Sequence, residues 1–381
     1  MGTLKKFSKI IVSCLLTFSI CFNYTFIYWG DDNIENDEVK VLCVNNVNQA
    51  VALEQIGTLV RANCTKNQTM QVGDCISVYN AESDNLYYIY PVYADSKCEY
   101  IAEVSVDGNT ILTDNIKKMD ILNRLSGREY ILYIDNGKLY AQSKADNLFL
   151  TQEYASNNSE KSEFYYYSYD EKISYYEKKF GKSNICFENI LQRNYVLQID
   201  ISIKDIETRS VVVDKDINMT YKYKCNISNF VLQGNHPLCW AAACATIINY
   251  KTGSSVTPKF LADKYNIGYD KGANTSQVKT CLNDYNLSYG IYYARLPWAK
   301  IKANINADKP FVICMKSEQA SGEVERHSIT GYGYSCFLND TSVGMRAIYA
   351  WDSNGSHISF LDTMTVINLG GYSYKWFGSV Y

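Results

Sequence analysis

The segment 239–250 constrains the fold of this chain more than any other stretch of its sequence. It reads Cys-Trp-Ala-Ala-Ala-Cys-Ala-Thr-Ile-Ile-Asn-Tyr, and its alanines and aliphatic residues favour an α-helix with an apolar face. Gly234, Asn235 and Pro237 precede it and favour a loop. Together the two signals predict that a helix begins at Cys239 and packs against a hydrophobic core.

The predicted position of Cys239, in the first turn of that helix, favours a reactive thiolate. Backbone N–H groups and the helix dipole stabilise an anion there, and the thiolate is the nucleophilic form of cysteine. Most cysteines in apolar helices are simply buried, and we interpret Cys244, five residues further on, in that way. Cys239 differs from Cys244 because of the residues around it.

Two neighbours of Cys239 are candidate site residues. Gln233 lies six residues before it, across the loop. Its side-chain amide could donate to the oxygen of a tetrahedral intermediate, with the Cys239 backbone N–H as the second donor. Trp240 either forms a substrate-binding wall of the site or is an ordinary core aromatic residue, and the sequence leaves both interpretations open.

A catalytic base must come from only three histidines. His327 begins a predicted strand that runs into Gly-Tyr-Gly, after a predicted strand over 310–315 and a predicted polar loop over 316–326. His236 lies three residues before Cys239, an awkward distance for an in-line base, and is the less favoured alternative. His357 is interpreted as a turn residue.

A third residue should orient the histidine ring. The predicted strand 346–351 ends in Asp352, whose carboxylate could accept a hydrogen bond from the ring N–H. Asn354 is the alternative, since an amide can serve the same role. A purely structural interpretation also exists for Asp352, as the side chain of an Asx-turn before the Asn354-Gly355 turn.

In order and spacing, these residues resemble the papain-like cysteine peptidases, especially the staphopain-like and bacteriocin-processing branches. The shared features are Gln-x5-Cys-Trp, His before an apolar strand and Gly-Tyr-Gly, and a later strand ending in Asp. The resemblance covers roughly residues 230–381. It implies that Cys239 is the nucleophile, His327 the base, Asp352 the orienting residue and Gln233 the oxyanion donor.

The resemblance also implies an activity, the hydrolysis of peptide bonds in a protein or peptide substrate, with no metal and no organic cofactor. This chain departs from the family pattern in two places. The third position reads Asp-Ser rather than the Asn-Ser-Trp-Gly of papain, and the loop over 317–326 is longer than expected. The first departure bears on the role of Asp352, whereas neither affects Cys239.

The chain is predicted to have the α+β fold class. Residues 30–220 form a β-rich, prodomain-like α+β region, and residues 221–381 form a papain-like peptidase domain. In that domain the helix carrying Cys239 packs on an antiparallel sheet carrying His327. Asp135-Asn136-Gly137 predicts a hairpin turn within 130–142. Further predicted elements are helices over 47–60 and 116–125 and strands over 87–93, 100–106 and 195–203.

Residues 1–29 read as an export segment. Lys5, Lys6 and Lys9 precede an apolar run over 10–29, the pattern of a signal peptide. The run is also long enough to span a bilayer, so an uncleaved signal-anchor that tethers the protein is the alternative. Either way the protein is predicted to be secreted or extracellular. The net charge of −3 gives no reason to expect a nucleic-acid partner.

Export permits disulfide bonds, but the 13 cysteines show no regular framework. Pairing and unpaired burial therefore both remain open for the N-terminal cysteines, which are Cys43, Cys64, Cys75, Cys98 and Cys186.

Two further questions stay open at the level of sequence. Residues 30–220 are either a propeptide that inhibits the peptidase domain until a cut near 214–224, or a permanent binding or anchoring module. The alternative functions are another Cys-His acyl-transfer enzyme, either transglutaminase-like or a cell-wall amidase, and an inactive surface protein that binds through its tyrosine-rich N-terminal region.

Overall fold

A computed structural model describes residues 49–64, 68–95, 97–115, 130–145, 147–152, 161–180, 195–201, 219–318, 324–338 and 346–381. The chain divides into the units 1–42 and 43–381, and all of the described residues belong to the second. The predicted export segment 1–29, the predicted helix 116–125 and the predicted linker 214–218 lie outside the described residues.

The described residues form seven helices and seventeen strands. The helices are α1 (Gln49–Asn63), α2 (Glu163–Tyr166), α3 (Tyr169–Phe180), α4 (Cys239–Thr252), α5 (Pro258–Lys264), α6 (Thr275–Asn283) and α7 (Trp298–Asn306). The strands are β1 (Gln68–Gly73), β2 (Ile76–Asn80), β3 (Asn85–Ala94), β4 (Lys97–Ser105), β5 (Thr110–Thr113), β6 (Ile131–Asp135), β7 (Lys138–Gln142), β8 (Asn147–Gln152), β9 (Tyr195–Ile201), β10 (Met219–Lys224), β11 (Ile291–Tyr292), β12 (Phe311–Glu318), β13 (Val324–Leu338), β14 (Arg346–Asp352), β15 (Ser356–Leu361), β16 (Val366–Leu369) and β17 (Tyr372–Val380).

The strands join in one network of mixed direction. In the N-terminal part, β9-β1-β3-β4-β5 pair in that order, and β2 links β3 to the β6-β7-β8 meander through a parallel pairing with β6. In the C-terminal part, β17-β12-β13-β14-β15 pair antiparallel, with β10 also on β13. The predicted α+β class is confirmed.

Most locally predicted elements lie where the sequence placed them. The hairpin is confirmed: Asn136 and Gly137 have φ of 51° and 62°, the left-handed values that a two-residue type I′ turn requires. The strands predicted over 87–93 and 100–106 are β3 and β4. The helix predicted over 47–60 is α1, which continues to Asn63.

Helix α4 is buried on every side from Cys239 to Ile248, and only its last turn reaches the surface. Ala241, Ala245 and Ile248 have no exposed surface, and the helix packs against Val312 of β12 and Val380 of β17. A helix that is apolar all round belongs in a core, which explains the alanine-rich sequence. The helix begins at Cys239, as predicted, and ends at Thr252, where the following Gly253 caps it with a left-handed φ of 68°.

The predicted loop between β12 and β13 is shorter than the sequence indicated. The loop was expected over 316–326, but β12 continues to Glu318 and β13 begins at Val324. Lys316 pairs with Arg326, and Ser317 pairs with Glu325. Backbone pairing can extend through such polar residues because ladder hydrogen bonds do not require apolar side chains.

The predicted division between residues 220 and 221 falls inside β10, which pairs with β13 over its whole length. The described part of the predicted cleavage segment 214–224 is therefore a paired strand. In addition, β5 pairs with β15, with Ile111 opposite Phe360. The sheet is thus continuous between the two parts, a long-range pairing that composition along the chain does not reveal.

Three observations concern features named in the sequence. Cys64 and Cys98 are buried thiols, whereas Cys43 and Cys186 lie outside the described residues. No helix within the described ranges is both long and apolar enough to cross a membrane. No cluster of three His, Cys, Asp or Glu side chains suited to a metal occurs in that same part of the chain.

Strand β13, which carries His327, depends on a glycine. An added Cβ at Gly331 would lie 2.7 Å from Cε1 of Phe311, the residue opposite it on β12. We expect Gly331→Ala to lower the free energy of unfolding by about 1–3 kcal/mol, the typical cost of overpacking. The measurement is denaturant unfolding of the full chain.

A matched glycine provides the control. Gly57 lies inside α1, and its added Cβ would meet nothing closer than 3.5 Å. Gly57→Ala should therefore raise the free energy of unfolding by about 0.5–1 kcal/mol, because alanine loses less entropy than glycine in a helix. Equal effects of the two substitutions would contradict this account of β13.

Candidate active site

Cys239 occupies the first position of α4, where the helix leaves its N–H groups unpaired. The preceding residue, Leu238, provides no side-chain acceptor to cap them. Cys239 is 5% exposed, and its Sγ lies 4.0 Å from the carbonyl oxygen of Arg326 on β13. The thiol therefore lies between a helix N-terminus and the strand that carries His327.

The register between β13 and β14 brings Asp352 to His327. Thr330 lies opposite Trp351, and continuing that register places Asp352 across from Ile329, two residues from His327 on the same face. Such diagonal neighbours are within reach of long side chains. His327 Nε2 lies 3.0 Å from Asp352 Oδ1, and the two residues are 4% and 3% exposed.

The surroundings of His327 favour the protonated form of its ring. Burial alone lowers the pKa of His327, but the charge of Asp352, its hydrogen bond and the hydrogen bond to Cys239 together raise that pKa well above 6.5. Since Nε2 faces Asp352, Nδ1 is the ring nitrogen available to the thiol. The structure thus brings Cys239, His327 and Asp352 together as one chain of hydrogen-bonding groups.

Asp352 makes both contacts that its sequence position suggested. Its Oδ1 accepts the backbone N–H of Asn354 at 3.1 Å, the hydrogen bond of an Asx-turn, and also contacts His327. The two interpretations are therefore compatible. The amide of the alternative residue Asn354 does not donate to the histidine, because its Nδ2 is buried without a hydrogen-bond partner in the described part of the chain.

Gln233 is held next to Asp352 by Ser353. The Gln233 backbone N–H donates to the Ser353 carbonyl at 3.0 Å, and the Ser353 hydroxyl donates to Gln233 Oε1 at 2.9 Å. Because Oε1 is occupied, the amide orientation is determined and Nε2 is left as the donor. Gln233 is 7% exposed, so this donor is held in a buried position.

The loop that carries Gln233 is anchored on both sides. The Val231 backbone N–H donates to Thr246 Oγ1 of α4 at 3.0 Å, and the Val231 carbonyl accepts from Trp351 Nε1 of β14 at 3.1 Å. The helix with Cys239 and the strand with Asp352 therefore position the same loop. This arrangement explains how a segment without secondary structure holds a side chain in a defined place.

Trp240 lies in the core and not on a wall of the site. It is 1% exposed and packs in the hydrophobic cluster around α4. Of the two interpretations left open above, the structure agrees with the core residue, and the predicted substrate-binding role has no accessible surface to support it. The physical reason is that the residue after Cys239 belongs to the hydrophobic cluster formed by α4, its neighbouring helices and the sheet.

The other two histidines lie elsewhere. His236 is exposed, and its ring packs against Tyr269 with centroids 5.2 Å apart. His357 was predicted in a turn but belongs to β15, where its Nδ1 lies 3.0 Å from the Tyr332 hydroxyl. The turn before it is short, so the strand begins earlier than the Asn-Gly pair suggested.

Sequence reasoning missed two residues of the site. Ser353 follows Asp352 directly, and its position beside a candidate orienting residue was the signal that could have identified it. Tyr374 of β17 lies against the catalytic candidate His327, with ring centroids 5.6 Å apart. Nothing local to Tyr374 signals this contact, because it depends on the pairing of β17 with β12.

No protein-family model matches the chain, and no curated protein is significantly similar to it in sequence. The assignment of a function therefore rests on the geometry of the site.

The pair of His327 and Asp352 should make stability depend on pH. A raised folded-state pKa contributes stability that is fully present below pH 6.5 and is lost as the pH rises through the folded-state value. We expect the advantage of the wild type over Asp352→Asn to shrink above pH 6.5. The slope should approach about 1.4 kcal/mol per pH unit.

The measurement is chemical denaturation of both proteins from pH 5.5 to 9. The control is His236→Gln, since that ring is exposed and packs only at the surface, and its curve should run parallel to the wild type. Parallel curves for wild type and Asp352→Asn would refute the proposed coupling between His327 and Asp352.

Proposed function

We propose that this protein is an exported cysteine peptidase with a papain-like arrangement of its C-terminal part. In this arrangement the helix that carries Cys239 packs on the antiparallel sheet that carries His327. The observation that carries the proposal is the buried contact of 3.0 Å between His327 Nε2 and Asp352 Oδ1, next to a cysteine at a helix N-terminus. A structural histidine has no need of a carboxylate on one nitrogen and a thiol on the other.

The proposed reaction begins with attack of the Cys239 thiolate on the carbonyl carbon of a peptide bond. The negative charge that develops on the carbonyl oxygen is stabilised by Gln233 Nε2 and the Cys239 backbone N–H. The protonated His327 ring gives its proton to the leaving amine, and an acyl-enzyme thioester remains. Water then loses a proton to His327 and attacks the thioester, which releases the carboxylic acid and restores the thiol.

Asp352 keeps the His327 ring in the orientation and the charge state that this cycle requires. It accepts a hydrogen bond from Nε2, which directs Nδ1 to the sulfur, and its charge favours the imidazolium form. An aspartate can take this position as well as the asparagine of papain, since both provide an oxygen acceptor. The proposed substrate is a protein or peptide chain. Export, with a tether through residues 10–29 as the alternative to secretion, is proposed from the sequence.

The assignment is tested with casein and with peptidoglycan as substrates for the full chain. We expect casein cleavage that a thiol alkylator abolishes and that Cys239→Ala reduces to background. The reason is that removal of a covalent nucleophile eliminates the acyl-enzyme route. The measurement is the release of acid-soluble peptides over time.

Cys244→Ala is the matched control, because Cys244 lies on the same helix and is fully buried. It should retain casein cleavage within about twofold if folding is unchanged, since it does not contact substrate. Undiminished cleavage by Cys239→Ala would reject the site. Release of cell-wall fragments without casein cleavage would instead favour an amidase.

The oxyanion role of Gln233 gives a separate prediction. Gln233→Ala should lower kcat on casein-derived peptides by about 10²–10³, the usual cost of losing one such donor. Ser353→Ala, which frees the amide from its hydrogen bond, should lower kcat by about tenfold because the donor is no longer held in one orientation. Asn235→Ala, in the exposed part of the same loop, is the control. An unchanged kcat for Gln233→Ala would exclude the donor role.

A further inference from the structure

The hairpin turn between β16 and β17 is held by side chains of the N-terminal part. Asn80 Nδ2 donates to the Gly370 carbonyl at 2.8 Å, Ser83 Oγ donates to the Gly371 carbonyl at 2.9 Å, and the Gly370 N–H donates to Glu103 Oε2 at 3.0 Å. The Tyr372 hydroxyl donates to Glu82. We call Asn80, Glu82, Ser83 and Glu103 the turn clamp.

The turn clamp is a closely fitted, buried structure. Asn80 is fully buried and Glu103 is 3% exposed. Asn80 Oδ1 also accepts the backbone N–H of Glu82 and of Ser83. This one side chain therefore orders the backbone of the turn clamp and also binds the hairpin turn. Gly371 has a φ of +81°, and a Cβ there would lie 2.8 Å from Asn80 Cβ. Only glycine permits this close approach.

The clamped hairpin leads directly to the candidate active site. Tyr374, two residues after Tyr372 on β17, is fully buried with its ring against His327, and the two tyrosine rings are 6.0 Å apart. Further along, Trp376 of β17 lies opposite Met315 of β12, and Met315 lies opposite His327. The position of the hairpin therefore determines the position of the ring that packs on the histidine.

A buried histidine and carboxylate pair needs such support. Its charge interaction offsets the cost of desolvation only when geometry is held closely and water is kept out. Tyr374 provides an aromatic surface on the ring of His327 and brings no charge there, because burial and the charge of Glu325 raise the pKa of Tyr374 well above its ordinary value. Cys239, His327 and Asp352 thereby keep one arrangement.

We propose that Tyr374 is a positioning residue for His327 and that the turn clamp of the N-terminal part keeps Tyr374 in place, so that the N-terminal sheet is a permanent, activity-supporting part of the enzyme. This inference rests on the proposed function, because that function defines the activity that the N-terminal sheet supports. The contacts of the turn clamp and of Tyr374 are observed independently of it. The inference opposes the propeptide role predicted for residues 30–220, under which weakening the turn clamp would release activity.

The test measures the alkylation rate of Cys239 by iodoacetamide in the full chain from pH 5 to 9, a readout that requires no substrate. Tyr374→Leu should slow alkylation at pH 6 by about tenfold and move the acid limb of the profile up by about one pH unit, since one pKa unit is a factor of ten. It should also lower kcat on peptides with KM unchanged within about twofold. Tyr374→Phe should restore both, because the phenyl ring preserves the packing.

The turn clamp is tested with Tyr372→Phe combined with Ser83→Ala, which removes two hydroxyl donors and keeps the rings. We expect the alkylation rate at pH 6 and kcat to fall by about threefold to tenfold, because Tyr374 no longer holds the His327 ring in one orientation. The matched control is Tyr334→Phe on β13, which removes an equivalent hydroxyl hydrogen bond of 2.8 Å to Asn306 of α7. Tyr334→Leu is the control for Tyr374→Leu, because its ring packs on Trp298 and Tyr223 instead of His327.

The outcomes separate this inference from the proposed function. If folded Tyr374→Leu kept the alkylation rate and kcat of the wild type, the inference would be wrong. An increase of either quantity in the turn-clamp variant would also overturn it, and would favour a propeptide role for the N-terminal part. If Tyr374→Leu does not fold, the clamp variants decide. Failure of the peptidase assignment would appear differently, as alkylation of wild type and His327→Ala with the same pH profile.

Discussion

The buried contact between His327 and Asp352 is the interaction on which the rest of the site depends. It exists because β13 and β14 pair in a register that makes the two residues diagonal neighbours on one face. It persists because the surroundings exclude water, which strengthens the attraction between the ring and the carboxylate. Burial alone lowers the pKa of His327, but the charge of Asp352 and its hydrogen bond outweigh that effect and raise the pKa. The imidazole is thereby directed to Cys239, and the thiol, a poor nucleophile when protonated, obtains a partner that can hold its proton.

A helix that is buried from Cys239 to Ile248 and a loop anchored to two elements position the other two groups. Cys239 lies at the first position of the buried part, so it has little freedom to move. The loop before it is attached to α4 through Thr246 and to β14 through Trp351 and Ser353. Gln233 thus moves with the elements that carry Cys239 and Asp352. Under the proposed function, the oxyanion donor, the nucleophile and the base would be held in one arrangement, which is what preorganised catalysis requires.

The N-terminal sheet contributes to this rigidity from outside. Strand β5 extends the C-terminal sheet through β15, and the turn clamp holds the hairpin that places Tyr374 on His327. The hydrogen bonds of the turn clamp join residues 290 and 288 positions apart in the chain. They form only when both parts have folded, so the parts are coupled through hydrogen bonds and close packing instead of a flexible linker.

The amino-acid sequence by itself determined the local features: the helix that begins at Cys239, the strand that ends at Asp352, and the hairpin at Asn136-Gly137. Each follows from propensity or from backbone angles within a few residues. Only the tertiary structure decided that Trp240 lies in the core, that Ser353 orients Gln233, that Tyr374 packs on His327 and that β10 belongs to the C-terminal sheet. Those outcomes depend on which distant strands pair and in what register, and a residue's immediate neighbours carry no information about that choice.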